Sequence, residues 1–597
     1  MPLYPNPTII MKYNKIFIAV CLLLYFPIMT VAQEEETDDL GTQEVTVVRS
    51  YNPSLKSVFK IRTNPKIEDS LVKKKIKVDY TFVPVSVVST FIPNKATPLK
   101  LKRRESSFYH NSYIMGGIGN QSSLQLNFST MVTLDRMQSI GLKFLYNKLG
   151  SIDKTLLNSD RKRTSFNLLH QYKDNNMRVD SDLRLDHQGH KFFGLYGNLD
   201  WDNLSSFRPD EIDPSQNLNY LSIRSRWQWY DGLFNKVNFN THITTDSFDS
   251  SEHIFKINTQ MRIPFFNQYL ELTPHVELVN TKFVRGYYDE QALSYTEGMG
   301  RLEFQFLNVG KKLKLRLGAQ GVYPLGDAEE GDPTFFVYPK AEISYKPGSG
   351  KLVPFLNYHG GYDINSFTSF SLENPYVAPI LAIKATEINH FGDLGLNAYP
   401  GSGLSLKFNT HYSQSKNFPL FKRLPYDDNN QDVAYRLANG YEVVYDSVEK
   451  MGFVTQIAMR FSEYNKISLE TSYYDYKRKG NQKVWNMPSL MIDINANFRL
   501  GQKIFFQASG QYIGDRDSAK NIPVPLSENS SGNFQTIESV KSIFRITSSI
   551  TWKINAQWDL FYEGNVILSD NTSRWAYYQN QSQLHLGGIR YKFDINL

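Results

Sequence analysis

From about residue 110 to the end of the chain, apolar and polar residues alternate in long runs. In 220–231 (YLSIRSRWQWYD), Leu221, Ile223, Trp227 and Trp229 share one side, with Ser222, Arg224, Arg226 and Gln228 on the other. In 312–323 (KLKLRLGAQGVY), Leu313, Leu315, Leu317 and Ala319 oppose Lys314, Arg316 and Gln320. In 404–412, Leu404, Leu406, Phe408 and Tyr412 oppose Ser405, Lys407, Asn409 and His411. In 490–500, Leu490, Ile492, Ile494, Ala496, Phe498 and Leu500 oppose Asp493, Asn495, Asn497 and Arg499. A period of two puts such sets on opposite faces of a sheet, so each run predicts a strand.

A soluble sandwich alternates as well, and three further features separate it from a barrel in lipid. The polar side often carries full charges, as a wet interior would. The runs reach ten or more residues, where ordinary strands average about 5–6 and a tilted membrane strand needs about 9–11. Aromatic residues (Tyr230, Phe265, Tyr323, Tyr345, Tyr464) sit near run ends, where an interfacial girdle belongs.

The connections fall into two kinds. Ten short turns are predicted, near Asp135-Arg136, Asp174–Asn176, Asp231-Gly232, Phe266-Asn267, Gly310-Lys311, Gly348–Gly350, Gly401–Gly403, Tyr464–Lys466, Gly501–Lys503 and Asn555-Ala556. Longer segments read as polar loops lie between them, including 195–217, 284–293, 367–386, 419–440 and 516–536. Short turns on the periplasmic side and long loops outside are the habit of bacterial barrels. Ten turns join eleven hairpins, which predicts about 22 antiparallel strands over 110–597 with both ends in the periplasm. The last residues also read as strand: Ile589, Tyr591, Phe593, Ile595 and Leu597 alternate with Arg590, Lys592, Asp594 and Asn596. A change of phase between Leu586 and Ile589, at Gly587-Gly588, predicts a bulge there.

Composition narrows the choice. The chain has 597 residues, 14% aromatic and 21% charged, with Lys plus Arg (66) only slightly above Asp plus Glu (59). That profile excludes a helical membrane protein, a collagen-like chain and a disordered one. A net charge of +7 spread along the chain gives no argument for nucleic acid. Upstream of the strands, residues 1–32 read as a short extension followed by a secretory signal: Lys12 and Lys15, the apolar stretch Ile16 to Met29, then Thr30-Val31-Ala32. At about 14 residues that stretch is too short to span a membrane as a helix. Cys21, the sole cysteine, lies inside it after Val20, a context unlike a lipidation site, so a mature chain would have no disulfide, thiolate metal site or cysteine nucleophile.

Twenty-two strands is the size of the TonB-dependent receptors, and short stretches of sequence resemble that family. The segment 113–134 (YIMGGIGNQSSLQLNFSTMVTL) resembles the hairpin that opens those barrels, and 588–593 (GIRYKF) resembles the strand that closes them. The stretch Glu44, Val45, Thr46, Val47, Val48 resembles a TonB box, where an energising partner adds a β-strand. Together with 51–61 (YNPSLKSVFKI), the pattern is similar to shorter receptor-like proteins of the Bacteroidota. The resemblance implies an outer-membrane barrel that binds or passes a solute, with a TonB-type partner. One departure stands out: residues 33–109, with prolines at 53, 65, 84, 93 and 98 and basic runs at Lys73–Lys75 and Lys102–Arg104, do not read as the four-stranded plug that family carries. They read as a short irregular periplasmic segment, so loops, this segment or a partner would have to fill the lumen.

Other chemistry finds little support. His187 and His190, with Asp186, read as part of a polar loop or lumen face. Asp428, Asn430 and Asp432 have the spacing of a calcium loop, but Val433 stands where glycine is needed and no Glu completes the set. The stretch 529–532 (NSSG) reads as flexible loop, and nothing isolates a catalytic pair, so no enzyme, cofactor or metal site is expected. The candidate lumen wall comprises Arg224, Arg226, Lys314, Arg316, Lys407, Asp493 and Arg499. Two functions stay open: a receptor-like solute transporter, favoured by Glu44–Val48, or an accessory barrel of an outer-membrane assembly, secretion or uptake complex, favoured by the missing plug.

Overall fold

In a membrane every backbone N–H and C=O must find a partner within the protein, so a spanning sheet has to close on itself. The computed structural model shows such a closure. It describes residues 77–79, 81, 110–152, 155–195, 212–266, 268–285, 291–326, 335–425, 434–478, 483–521 and 535–596. The chain divides into two units, 1–102 and 103–597, and the second builds the barrel. The predicted signal, Glu44–Val48, 51–61, the basic runs 73–75 and 102–104, Asp428, Asn430, Asp432 and 529–532 lie outside the described residues.

The strands run β1 (Ser112–Gly119), β2 (Leu124–Thr133), β3 (Gln138–Leu149), β4 (Arg161–Lys173), β5 (Met177–Lys191) and β6 (Ser215–Trp229). They continue as β7 (Phe234–Thr245), β8 (Ser251–Phe265), β9 (Gln268–Phe283), β10 (Leu293–Val309), β11 (Leu313–Gly326) and β12 (Phe336–Tyr345). After β13 (Leu352–Asp363) come a short helix α1 (Phe367–Glu373), β14 (Thr386–Gly401), β15 (Leu404–Arg423), β16 (Tyr441–Arg460), β17 (Lys466–Arg478) and β18 (Leu490–Leu500). The chain ends with β19 (Ile504–Ile513), β20 (Arg516–Asn521), β21 (Gln535–Val540), β22 (Ile543–Lys553), β23 (Trp558–Ile567) and β24 (Gln583–Phe593). All but β20 and β21 belong to one 22-stranded antiparallel sheet, in which each strand pairs with its sequence neighbours. The remaining two form a separate hairpin within the connection from β19 to β22.

The four runs read from alternation coincide with β6, β11, β15 and β18, and all ten predicted short turns fall at one end of the barrel. The apolar phase is the exposed one. Ile223, Leu317, Phe408 and Ile494 are each about two-fifths exposed or more despite lying mid-strand, which lipid explains and water does not. Tyr230, Phe265, Tyr323 and Tyr345 are similarly exposed near strand ends.

Closure is made by β1 against β24, in an unbroken register from Ser112↔Phe593 to Gly119↔Leu586. Two expectations are corrected at this seam. The register of β24 is continuous with both neighbours, so Gly587-Gly588 holds no bulge. The phase changes because Leu586 joins Met115 and Phe561 in a buried apolar cluster. Glycine is needed beside that cluster: a Cβ on Gly117 would lie 2.6 Å from Leu586 and 2.8 Å from the Phe561 ring. The strand also stops at Phe593 instead of running to Leu597. The tail is clamped to the start of the barrel, with the Asn111 amide and His110 both bonded to the Asp594 carboxylate at 3.0 Å. Asn111 Nδ2 further donates to the carbonyl of Ile595.

Two measurements check this arrangement. An epitope inserted at Asn429-Asn430 should be reachable on intact cells and one at Ser402 should not, because the turn 402–403 lies at the short-turn end. In addition, Ile494→Arg should cost about 2–4 kcal/mol of stability near the midplane, whereas Asn495→Arg should be tolerated. Equal losses in a denaturation series would show that the strand is assigned the wrong phase.

Candidate functional site

At the end with the long connections, the described parts of several connections fold together into a cap. Among the described residues, six connections contribute side chains to one apolar cluster or pack against it. They supply Leu157 (β3 to β4), Phe192 and Phe193 (β5 to β6), Phe367, Phe370 and Tyr376 to Ile383 (β13 to β14), Leu424, Tyr435 and Leu437 (β15 to β16), and Trp575 and Tyr578 (β23 to β24), with the partly buried Phe248 (β7 to β8) packed against them. The segment 367–386, read from the sequence as a polar loop, is thus largely core. Its apolar run from Tyr376 to Ile383 has neither strand nor helix periodicity, and its residues are buried against other connections instead of against a sheet face.

Two polar anchors hold the cap. Arg423, at the end of β15, is fully buried and donates to the carbonyls of Ala438, Ala576 and Gly194, each from a different connection. The Tyr577 ring lies 4.6 Å from its guanidinium. Ala438 and Tyr577 both sit in the left-handed region (φ 55° and 66°), a strained conformation for such residues that the surrounding contacts hold in place. Around this knot Tyr578 donates its hydroxyl to the Asn439 carbonyl at 2.6 Å and stacks on Tyr376, while Asn439 Nδ2 donates to the Phe192 carbonyl. Burial pushes the Tyr578 phenol well above its ordinary range, so it remains a donor. Arg516 donates to the carbonyls of Gly514 and Ser573, and burial, aided by nearby Arg574, brings its guanidinium down to about 10.

The second anchor is Glu252, at the head of β8. Its fully buried carboxylate accepts from the amides of Phe367 and Thr368 at 2.7 and 2.8 Å, and from the Thr368 and Thr281 hydroxyls. These are the amides at the start of α1, which have no partner within a helix. Ser366 and Ser369 complete the cap of α1 by exchanging side-chain to backbone bonds. A 7-residue helix is thereby tied to the barrel wall.

The seven charged residues picked from the sequence all lie on the polar phase of their strands and are not one cluster. Arg224 pairs with Asp182 across β5 and β6 at 2.8 Å. Arg226 lines a separate cavity of about 220 Å³ with Gln228, Lys236 and Arg262. Lys314, Arg316 and Lys407 share a cavity of about 500 Å³, where Arg316 lies 3.5 Å from Glu342. Asp493 accepts from Gln511 at 2.9 Å. Arg499 is held against the rings of Tyr464 and Phe505. His187 and His190 lie on β5, not in a loop. His187 bonds Asn219, whereas His190 is buried against the rings of Phe192 and Tyr376, and Asp186 is taken by Arg163 and Arg184. Among the described residues no three His, Cys, Asp or Glu are placed to hold a metal ion.

A closed 22-stranded antiparallel barrel with a lipid-exposed apolar face defines an integral outer-membrane protein. Solved structures of receptors share this fold. They include the siderophore receptor PirA from Acinetobacter baumannii (12% identity, TM-score 0.58, 81% of this chain and 80% of that one). The FrpB iron transporter from Neisseria meningitidis matches at 9% identity and TM-score 0.59, over 81% and 82%. The pyoverdine outer-membrane receptor FpvA from Pseudomonas aeruginosa PAO1 matches at 10% and 0.57, over 81% and 79%. At these identities the likeness establishes the fold, and at that level it meets the resemblance to TonB-dependent receptors read from the sequence. These neighbours are receptors and transporters, not enzymes. No protein-family model matches the chain, and no curated protein matches it in sequence.

The knot at Arg423 gives a test of the cap. Arg423→Met removes the guanidinium from three buried carbonyls: those of Gly194 and Ala438 lose the donor shown for them, at about 1–3 kcal/mol each, while Ala576 keeps the Tyr441 hydroxyl at 3.4 Å. The cap loops of this variant should become sensitive to added protease while the barrel keeps its folded mobility on gels. Arg224→Met, which breaks an exposed pair worth about 1 kcal/mol or less, should leave both readouts unchanged.

Proposed function

We propose that the protein is a receptor-like outer-membrane barrel that binds a solute and passes it across the membrane, energised by a TonB-type partner that pairs with Glu44–Val48. The observation that carries this reading is the barrel itself, a closed sheet of 22 strands whose polar phase bears charged side chains. In this reading that phase lines the lumen, with Arg224, Arg226, Lys314, Arg316, Lys407, Asp493 and Arg499 as its charges. A wall that leans this strongly to positive charge raises the local level of anionic solutes in a wet channel above bulk. The structural neighbours, named as a siderophore receptor, a pyoverdine receptor and an iron transporter, support solute passage as the role of such a barrel.

A second reading draws on the cap. Six connections locked into one apolar core by a buried arginine resemble a finished docking face more than an open vestibule. On that reading the barrel is an accessory subunit, held in an outer-membrane complex through the segment 33–109.

One pair of variants separates the two. Strand addition rests on main-chain hydrogen bonds, and proline removes a backbone donor and fixes φ. Under the transport reading, Val47→Pro inserts normally but loses every energised function, as an energiser-deficient cell does. Under the accessory reading Val47→Pro behaves as wild type, and deleting 50–100 releases the barrel from co-purifying subunits. Wild-type growth and unchanged partners in both variants would overturn both.

A further inference from the structure

The short-turn end of the wall formed by β11 to β15 carries a shelf of positive charge. Lys311 and Lys312, in the turn before β11, line one cavity with Lys314, and the volume is about 420 Å³. Lys346 and Lys351, from the turn between β12 and β13, close the same cavity from the other side. A second cavity of about 500 Å³ shares Lys314 and Ser344 with the first and adds Arg316 and Lys407. Both volumes are in the range of small-molecule sites. Among the described residues none of the six lysines has a carboxylate within ion-pair distance, and only Arg316 is paired, to Glu342. A further acid on this wall, Asp393 on β14, is occupied by His411 and Asn409.

Local backbone and packing aim these groups at one place. Gly348 and Gly350 adopt φ of +48° and +70°, which curls the turn so that the Lys346 side chain crosses over Gly350. A Cβ on Gly350 would lie 2.0 Å from the Lys346 side chain. One wall of the second cavity is the Phe355 ring, which rests on Gly395, where a Cβ would come within 2.6 Å of it. Lys407 lies 5.6 Å from the centre of that ring. Asn357, Asn397 and Ser344 supply neutral hydrogen-bonding groups between the cations. Although most of these cations are solvent-exposed, like charges gathered without carboxylate partners around one concavity repel one another and raise a positive potential there, most strongly at low salt. An anion relieves that repulsion.

We propose that this shelf is a binding site for a small organic or inorganic polyanion, of the phosphate or polycarboxylate class, at the periplasmic end of the lumen. The proposal deepens the transport reading and rests on it for its role: the bound anion is the solute at its point of exit. Two cavities that share Lys314 and Ser344 favour two or more anionic groups on one ligand, one held by the turn lysines and one by Arg316 and Lys407. Tyr399 at the edge of the first cavity and Phe355 in the second offer ring surface to the ligand's uncharged part.

The test is calorimetric titration of the full-length protein in lipid nanodiscs with pyrophosphate and with citrate, at low salt and at about 0.15 M. Wild type should bind at least one of the two, the stronger identifying the class. Lys314→Gln, which touches both cavities, should weaken binding about tenfold, the value of one charge-assisted hydrogen bond. Lys314→Arg should restore most of it, and Lys236→Gln, in the separate cavity of β6 to β8, should change it less than twofold. Absence of binding by both anions, or an equal loss in Lys236→Gln, would overturn the proposal. Competition by anionic lipid in the disc would also overturn it, by assigning the shelf to headgroups. Val47→Pro protein should bind as wild type does, so a failure of energised import and a failure of this site are read out separately.

Discussion

The rest of the structure depends on the requirement that no strand edge be left open in lipid. An unpaired edge would present a row of bare N–H and C=O groups where no water can reach them, each costing several kcal/mol. The seam between β1 and β24 meets that requirement with one of the shortest strands of the barrel, eight residues long. Glycines on both strands let the backbones and the Phe561 ring approach closely, and the His110–Asp594 clamp sits just below. An even strand number follows from that antiparallel closure, and the meander places alternate connections at opposite ends.

The cap obeys a different rule. It lies outside the lipid, so its stability comes from burying aromatic and aliphatic side chains away from water, as in any soluble core. Its polar groups are then the expensive ones, and they are satisfied by reaching across connections: Arg423 to three carbonyls, Glu252 to the free amides of α1. The molecule therefore carries its apolar side chains outward along the wall and inward at the top. The cationic shelf stands at the opposite end, where the cap has no part in shaping it.

This division explains what could be read in the chain beforehand. Lipid imposes a period of two, a minimum length and one orientation of short turns, all local properties, so 490–500 coincided with β18 end to end. The cap is non-local: Arg423 meets a carbonyl 229 positions away and another 153 away, and no spacing announces either. The one available signal was an apolar run, Tyr376 to Ile383, inside a segment taken as a loop. Gly587-Gly588 misled for a similar reason, since Leu586 changes phase to meet Met115 and Phe561 from other strands. His187 and His190, three apart on one strand, point to opposite faces and could not have formed a pair.

The clamp between His110 and Asp594 joins residues 484 positions apart. A chain with free ends loses about 5 kcal/mol of entropy in bringing together points separated by that many links. The contact is therefore the most expensive in the barrel to make first and the cheapest to make last, when neighbouring hairpins have already shortened the gap. The two termini behave like the ends of a belt, with a buckle that holds only once every intervening loop is threaded. A chain halted a few residues early has the full girth of the barrel and no fastening.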